Sequence, residues 1–292
     1  MTRTLVDILR CPCCRGRLVL ESSDEGPTVH AGRLLSPCGR VFPVIEGVPN
    51  LVHPPDQTYL HEPADTYDRS IAFMMRLFDA DEGAVRRSLV DELAVERGAR
   101  ILEVACGPGP NLPYLLEAVG PTGSVSALDI SPEMLVAAGQ RTSDDPRVSL
   151  VLGNGVFLPF ADDSFDGLLH VGTLNRFDDV RMALSEMARV VRAGGRVVAA
   201  DEGVAPWLQA TAVGQVLARF GTLFQGAPPL DALPAEARDV TLRWLPGHAF
   251  FAIAFTVGSE PPRLNLDVEL PGRGVTVRDV LDAPRAHSSD DD

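Results

Sequence analysis

Residues 101–104, Ile-Leu-Glu-Val, form a short apolar run that breaks into ACGPGPN and then resumes as the apolar stretch LPYLLEAV. A strand that ends on a glycine turn and opens into a helix lets the backbone approach a ligand closely. Gly107 and Gly109 permit backbone conformations closed to larger residues and leave space where a side chain would stand. The same unit commits the chain to an α/β architecture, since such a strand must be buried on both faces.

The flanking sequence repeats the pattern. Short apolar strands are predicted at 101–104, 124–129 (SVSALD), 147–153 (RVSLVLG), 165–171 (FDGLLHV) and 196–201 (RVVAAD), separated by stretches of helical periodicity. Alternation of this kind predicts a parallel sheet with helices on both faces. Ser131, followed by Pro132 and Glu133, reads as a helix N-cap and first turn. A second helix is expected from about Asp179 to Arg192, stopping at Gly194 and Gly195. Upstream, Tyr67 to Arg97 should hold two helices broken near Asp79 to Gly83. Downstream, residues 206–220 read as one helix, and VTLRWL and HAFFAIAFTV flank Pro246 and Gly247 as an antiparallel hairpin at the sheet edge. The expected fold is α/β: a Rossmann-like, seven-stranded, mostly parallel sheet preceded by a small Cys-rich module. Expected boundaries are 1–53 for that module, 54–63 for a Pro-rich linker, 64–258 for the main domain and 259–292 for a mobile, polar tail.

Composition narrows the chemistry. A formal charge of -14 opposes a surface that tracks phosphates, because such binding draws on basic groups displacing counterions. Residues 1–53 hold six Arg against five acids, so only the N-terminal module would approach nucleic acid readily. Every basic residue is Arg; without lysine there is no Schiff-base or P-loop lysine chemistry. No apolar run approaches the roughly 20 residues of a membrane span, and the first residues lack a signal-peptide core, so a soluble, cytoplasmic protein is expected.

A GxGxxG dinucleotide loop would need glycine at position 112, where the chain has Leu112. Asp129, closing the second strand, follows the glycine turn at the distance from which a carboxylate reaches ribose hydroxyls. Glu103 and Asp129, acids after two successive strands, are joint candidates for nucleotide binding. EVACGPGPN, ALDISPEML, GNGVFLPFADDSFD and RVVRAGGRVV stand in the order and spacing of class I S-adenosylmethionine-dependent methyltransferases, and residues 65–257 resemble that family's ubiquinone and menaquinone group. The resemblance implies S-adenosylmethionine as cofactor. It implies contacts to the methionine part from Glu103, Ala105, Cys106, Gly107, Gly109 and Asn111, with Tyr67 closing from the helical lead-in. Asp129 would hold the ribose, Ile130, Met134 and Val156 would pack on ribose and adenine, and His170 would stand near the cofactor. Where the family commonly has Gly-Asp-Ala, this chain has Gly153, Asn154 and Gly155; the Asn154 carbonyl can still accept from an adenine amino group.

Methyl transfer from a sulfonium needs in-line positioning more than acid or base help. His170 and Asn175, after the fourth strand, are candidate catalytic residues, His170 as a base for a phenol or hydroxyl. Tyr67, Phe73, Met74, Met75 and Trp207 together favour a small, apolar organic acceptor. The competing expectations are an rRNA methyltransferase, suggested by the N-terminal module and opposed by the charge, and a protein that keeps the cofactor for structure or non-methylating chemistry.

The N-terminal sequence ILRCPCCRGRLVL, then PCGRVFPVIEGVPNLV, resembles the zinc-ribbon module that precedes some rRNA guanine methyltransferases. Cys11 and Cys14 match one knuckle and Cys38 half of the other, with Leu35 at the partner position. Cys13 or His30 could complete a zinc site, or the ribbon could fold on apolar residues alone.

Overall fold

The computed structural model describes residues 1–55, 63–220, 222–261 and 264–282. The expected linker at 54–63 therefore lies largely outside the described residues, as does the end of the expected tail. Met1–Ser259 form one compact unit and Glu260–Asp292 another.

The chain opens with α1 (Arg3–Ile8) and an antiparallel sheet of β1 (Val19–Glu21), β2 (Gly32–Leu35), β3 (Val41–Ile45) and β4 (Val48–Pro49), in that spatial order. Phe42 and Val44 point inward from β3 while their neighbours face solvent, the period-two pattern of a half-buried strand. Next come α2 (Ala64–Leu77) and α3 (Glu82–Asp91), separated where expected; Asp81 caps α3 by accepting from the Ala84 amide at 2.6 Å.

The main sheet is built by β5 (Arg100–Val104), α4 (Leu112–Val119), β6 (Ser124–Asp129), α5 (Pro132–Arg141), β7 (Val148–Leu152), β8 (Phe165–Val171), α6 (Val180–Val190) and β9 (Val191–Glu202). Helix α7 (Ala212–Phe220) and the hairpin β10 (Ala237–Trp244) and β11 (Phe250–Val257) complete it. The order is β10-β11-β9-β8-β5-β6-β7, parallel except where β11 pairs with β9 and β10. This is the expected seven-stranded sheet with its antiparallel edge. From β5 the chain runs outward to β6 and β7, then returns on the other side of β5 as β8. The β5/β8 boundary is thus the switch point at which open α/β sheets leave a crevice for ligands.

Two local expectations differ from the structure. Helix α6 ends at Val190, four residues before Gly194, because Val191 already pairs with Phe165 at the start of β9. The two glycines serve a bulge instead: Gly194 has φ +84°, and a Cβ on Gly195 would lie 2.5 Å from the Asp166 carbonyl oxygen. Residues 206–220 are not one helix but a 3₁₀ turn, Pro206–Leu208, followed by α7. The Thr211 hydroxyl donates to the Leu208 carbonyl at 2.6 Å and accepts from the Gly214 amide at 3.3 Å, ending one segment and starting the next.

The N-terminal sheet docks on the main one. The Leu51 amide donates to the Leu152 carbonyl at 2.7 Å, so the chain after β4 runs beside β7 as a short parallel extension. Arg10 donates its amide to the Pro159 carbonyl at 2.9 Å, and Ala161 donates to Ile8 at 2.8 Å. Leu5, Leu9, Leu34 and Leu51 share one buried cluster with Leu102, Val104, Phe160 and Phe165. In the second unit, Glu269 bridges Thr276 ahead of α8 (Val277–Asp282), which Thr276 and Asp279 cap reciprocally. No helix of the described residues is long and apolar enough to cross a membrane.

Candidate functional site

A cavity of about 660 Å³ opens at the carboxyl ends of β5, β6, β8 and β9, roofed by α2 and α3. It falls within the roughly 300–1,000 Å³ typical of small-ligand pockets. Its floor begins at the glycine turn. Ala105, Gly107 and Gly109 all have positive φ (55°, 53° and 76°). A Cβ on Gly107 would meet nothing within 4 Å, so the turn presents open backbone to the cavity. Gly109 serves a different need: a Cβ there would stand 2.8 Å from Leu112 and 3.1 Å from Ala138.

Asp129 ties this turn to the end of β6. Its Oδ2 accepts from the Gly107 amide at 2.8 Å and its Oδ1 from the Ser131 amide at 2.9 Å, while the Ser131 hydroxyl caps α5 at the Met134 amide. Asp129 thus locks the glycine turn to the start of α5 at the edge of the cavity. At the end of β7, Asn154 Oδ1 accepts from the Val156 amide at 2.9 Å and its Nδ2 donates to the His53 carbonyl at 3.1 Å. Gly155 packs tightly there: a Cβ would press on the Phe177 ring at 2.7 Å and the Val104 side chain at 2.9 Å, and one of them would have to move.

Of the residues expected to hold a cofactor, Tyr67, Ala105, Gly107, Asp129, Ile130, Met134, Asn154, Gly155 and Val156 line this cavity. Glu103, Cys106, Gly109 and Asn111 stand behind the lining. Glu103 is wholly buried; its Oε1 accepts from Asn111 Nδ2 at 2.8 Å and its Oε2 has no partner among the described residues. Burial pushes its carboxyl up to about 7, against the opposing pull of Asn111 and Arg86. Burial likewise pushes the Cys106 thiol well above its ordinary range, which leaves it a packed, unreactive group.

The two catalytic candidates lie elsewhere. His170 is fully buried on β8, outside the lining, with Nδ1 2.9 Å from the Val104 carbonyl and its ring tilted against Phe177. Burial lowers it to about 4, so it is neutral at pH 7. Asn175 also stands back: its side chain donates to the Glu202 carbonyl at 2.7 Å and its amide to Asp201 Oδ2 at 2.6 Å.

Three groups in the lining were not singled out by the sequence reading. Arg86, buried on α3, donates to Glu82 at 2.7 Å and to Asn111 Oδ1 at 2.7 Å. Nothing in its local sequence marks it. Asp201 and Glu202 close β9 and face the cavity together. Burial and the neighbouring Glu202 raise Asp201 well above the carboxylate range, and Glu202 Oε2 is enclosed without a partner among the described residues. Their signal was available: an acid closing the fifth strand, as Glu103 and Asp129 stand at the ends of the first two.

In the N-terminal module, the sulfurs of Cys11, Cys14 and Cys38 lie within 4.8 Å of one another. Cys13 is exposed and neither it nor His30 joins that group. Hydrogen bonds from the Ser36 hydroxyl and the Arg40 amide hold the Cys38 thiol down to about 6.

Residues 102–199 match the family profile described as a methyltransferase domain. The chain is 39% identical over 113 residues to demethylmenaquinone methyltransferase of Staphylococcus aureus (strain JH9), a stretch covering 39% of this chain and 47% of that protein. It therefore spans about half the length of the curated relatives it matches. Among solved structures, it resembles Haemonchus contortus phosphoethanolamine N-methyltransferase 2 in complex with S-adenosyl-L-methionine. The TM-score is 0.52 at 13% identity, over 68% of this chain and 61% of that one, a likeness of fold. A SAM-dependent methyltransferase from Aquifex aeolicus aligns with TM-score 0.48 and 19% identity, over 68% of this chain and 100% of that one. Residues 102–199 thus carry the sequence profile of a methyltransferase domain, and they lie within a seven-stranded, Rossmann-like sheet.

Proposed function

We propose that this chain transfers a methyl group from S-adenosylmethionine to a small, predominantly apolar organic acceptor. The observation that carries the reading is a single cavity with two unlike ends. One end offers the open backbone of Gly107, the Asp129 carboxylate and the Asn154 amide, which suit a nucleoside with a charged tail. The other is walled by Met74, Leu245 and Phe250, with Asp201 and Glu202 beside them.

The fit to the cofactor rests on one orphaned group and on the chemistry of the lining. Glu103 Oε2 is a buried acceptor with no partner among the described residues, and a cationic ligand nearby would satisfy it. Asp129 and Asn154 both line the cavity, and a carboxylate and an amide carbonyl are of the chemical type that accepts from ribose hydroxyls and an adenine amino group. When bound, S-adenosylmethionine supplies an electrophilic methyl on a good leaving group. Tyr67 and Arg86 close the cavity from α2 and α3, and the apolar wall excludes water from the reacting centre. Glu202 stands where it can take the acceptor's proton as the new bond to the methyl carbon forms. His170, behind the lining, is not assigned a chemical role.

The relative's name points to quinone-class acceptors as the first to test. Incubation with methyl-labelled S-adenosylmethionine and a panel of quinols and phenols should yield a product heavier by one methyl. Calorimetry showing no binding of S-adenosylmethionine would refute the proposal. RNA methylation is the weaker reading, since the charge of -14 opposes phosphate binding; salt-sensitive RNA binding would favour it.

A further inference from the structure

The N-terminal module brings together a set of groups that the knuckle spacing did not reveal. Leu35, which occupies the position of a fourth cysteine, is half-buried in β2, and the next residue takes its place: the Ser36 hydroxyl lies 3.4 Å from Cys14 Sγ and 3.1 Å from Cys38 Sγ. Cys11 Sγ is 3.8 Å from Cys38 Sγ. We propose that Cys11, Cys14, Cys38 and the Ser36 oxygen form a four-coordinate site for one divalent, thiophilic metal ion of the zinc class.

The distances carry the argument. Four ligands around zinc form a tetrahedron whose edge is about 1.6 times the metal–ligand distance, so thiolates at about 2.3 Å stand about 3.8 Å apart. A thiolate and an oxygen at about 2.0 Å stand about 3.5 Å apart by the same geometry. The Cys11–Cys38 separation equals the first, the Ser36–Cys14 separation of 3.4 Å is close to the second, and the 3.1 Å between Ser36 and Cys38 would lengthen by about 0.4 Å on binding. The three sulfurs lie within 4.8 Å of one another with the serine oxygen in contact with two of them, so all four atoms crowd the small volume that one ion would fill.

The two loops are shaped for this convergence. The first closes through Arg15 N to the Cys11 carbonyl at 2.8 Å and Cys11 N to the Gly16 carbonyl at 2.9 Å; the second closes through Ser36 N to the Arg40 carbonyl at 2.9 Å. They meet so closely that a Cβ on Gly16 would lie 2.5 Å from Pro37. Ser36 and Cys11 are buried, so the ion would be enclosed on that side, while Cys14 and Cys38 face outward. Pinning the two loops also fixes Arg15, whose guanidinium pairs with Glu186 of α6 at 2.8 Å. The site would thus be a structural staple between the N-terminal sheet and the methyltransferase fold.

The test uses the full chain purified under reducing conditions, with metal content, cobalt(II) absorption and zinc affinity against a chelating dye as readouts. One zinc per chain is expected, and cobalt(II) should give the intense visible bands of a tetrahedral thiolate site. Ser36→Ala should weaken zinc at least tenfold and alter the cobalt bands. Ser36→Cys should keep the ion and strengthen thiolate-to-metal charge transfer, showing that the position reaches the metal in a folded protein. Cys13→Ser should change neither readout. A chain that takes up neither zinc nor cobalt overturns the proposal, as does a Ser36→Ala variant with unaltered affinity and bands, or a Cys13→Ser variant that loses the ion. Because these are metal readouts, their failure leaves the methyl-transfer reading untouched.

Discussion

Asn111, just ahead of α4, reaches back across eight residues to hold Glu103 at 2.8 Å, and Arg86 in turn holds Asn111 at 2.7 Å. Among the described residues, the carboxyl at the base of the glycine turn is held by the Asn111 hydrogen bond with no direct ion pair. Burial dominates, and the group ionises at about 7 instead of 4.5.

A carboxyl with a raised folded-state value is tolerated while protonated and destabilises the fold once the unfolded chain can ionise and the folded one cannot. Its contribution is fully favourable below about 4.5 and is lost as pH rises through about 7, a difference of about 3 kcal/mol at roughly 1.4 kcal/mol per unit. Glu103→Gln should accordingly unfold at higher urea than wild type at pH 8 and at similar urea at pH 4. The same variant should bind S-adenosylmethionine more weakly. Wild-type affinity should rise with pH through about 7, as the carboxylate forms beside the cationic ligand, and that slope should vanish in Glu103→Gln when calorimetry is run from pH 6 to 8.

Asp129 couples two turns as well as facing the cavity. Asp129→Ala would strand the Gly107 and Ser131 amides, each of which now donates to a carboxylate. With charge-assisted bonds worth about 1.5–3 kcal/mol each, a loss of about 3–6 kcal/mol in urea unfolding is expected. Cofactor affinity should fall at least tenfold. An unchanged affinity in a folded variant would remove Asp129 from the cofactor site.

Glu202 separates chemistry from binding. Glu202→Gln keeps the shape and removes the proton acceptor, so turnover with a hydroxyl-bearing acceptor should drop at least tenfold, the lower range for a positioned general base. Cofactor affinity should stay within about twofold. Equal losses in both would place Glu202 against the cofactor instead.

His170 gives the opposite pH signature. Its folded-state value, about 4, lies below 6.5, so its neutral form supports the fold above 6.5 and that support is lost as pH falls toward 4. His170→Gln should flatten the acid side of the stability curve by up to about 3 kcal/mol between pH 6.5 and 4. Because the ring is not in the cavity lining, methyl transfer at pH 7.5 should survive; loss of turnover with unchanged stability would restore His170 as a catalytic candidate.

The parts of the site legible in the sequence are those built within one turn. The glycine loop, Asp129 with its Ser131 cap, and the 153–156 turn each sit within a few residues of a strand end, so spacing alone brings them to one edge of a parallel sheet. Arg86 arrives from a helix whose sequence carries no mark of the cavity, whereas Glu202 closes β9 beside Asp201 and was open to the same strand-end reasoning. His170 misled for a related reason: it is near the end of β8, but the period of two turns it toward Val104 and Phe177. Ser36 was hidden because the second knuckle is one residue shorter than CxxC, and a hydroxyl is an uncommon ligand beside three thiolates.

The sequence suggested a separate N-terminal module followed by a linker, whereas its core is continuous with that of the main fold. Leu51 is wholly buried, and its amide extends the edge of β7 through the Leu152 carbonyl. Leu5, Leu9 and Leu34 bury against the same cluster that contains Phe160 and Phe165. A domain with its own core would unfold on its own; this one shares its interior. Thermal unfolding, followed both by Trp fluorescence, which reports only Trp207 and Trp244, and by far-UV circular dichroism, should give a single coincident transition. Leu51→Ala should shift both probes together, by the roughly 2–5 kcal/mol expected for truncating a buried leucine. The Asn154–His53 contact passes that change to the cavity, so cofactor affinity should fall in the same variant. Two separated transitions, with only one moved by Leu51→Ala, would show that the N-terminal sheet is a lodger on the methyltransferase fold and no part of its core.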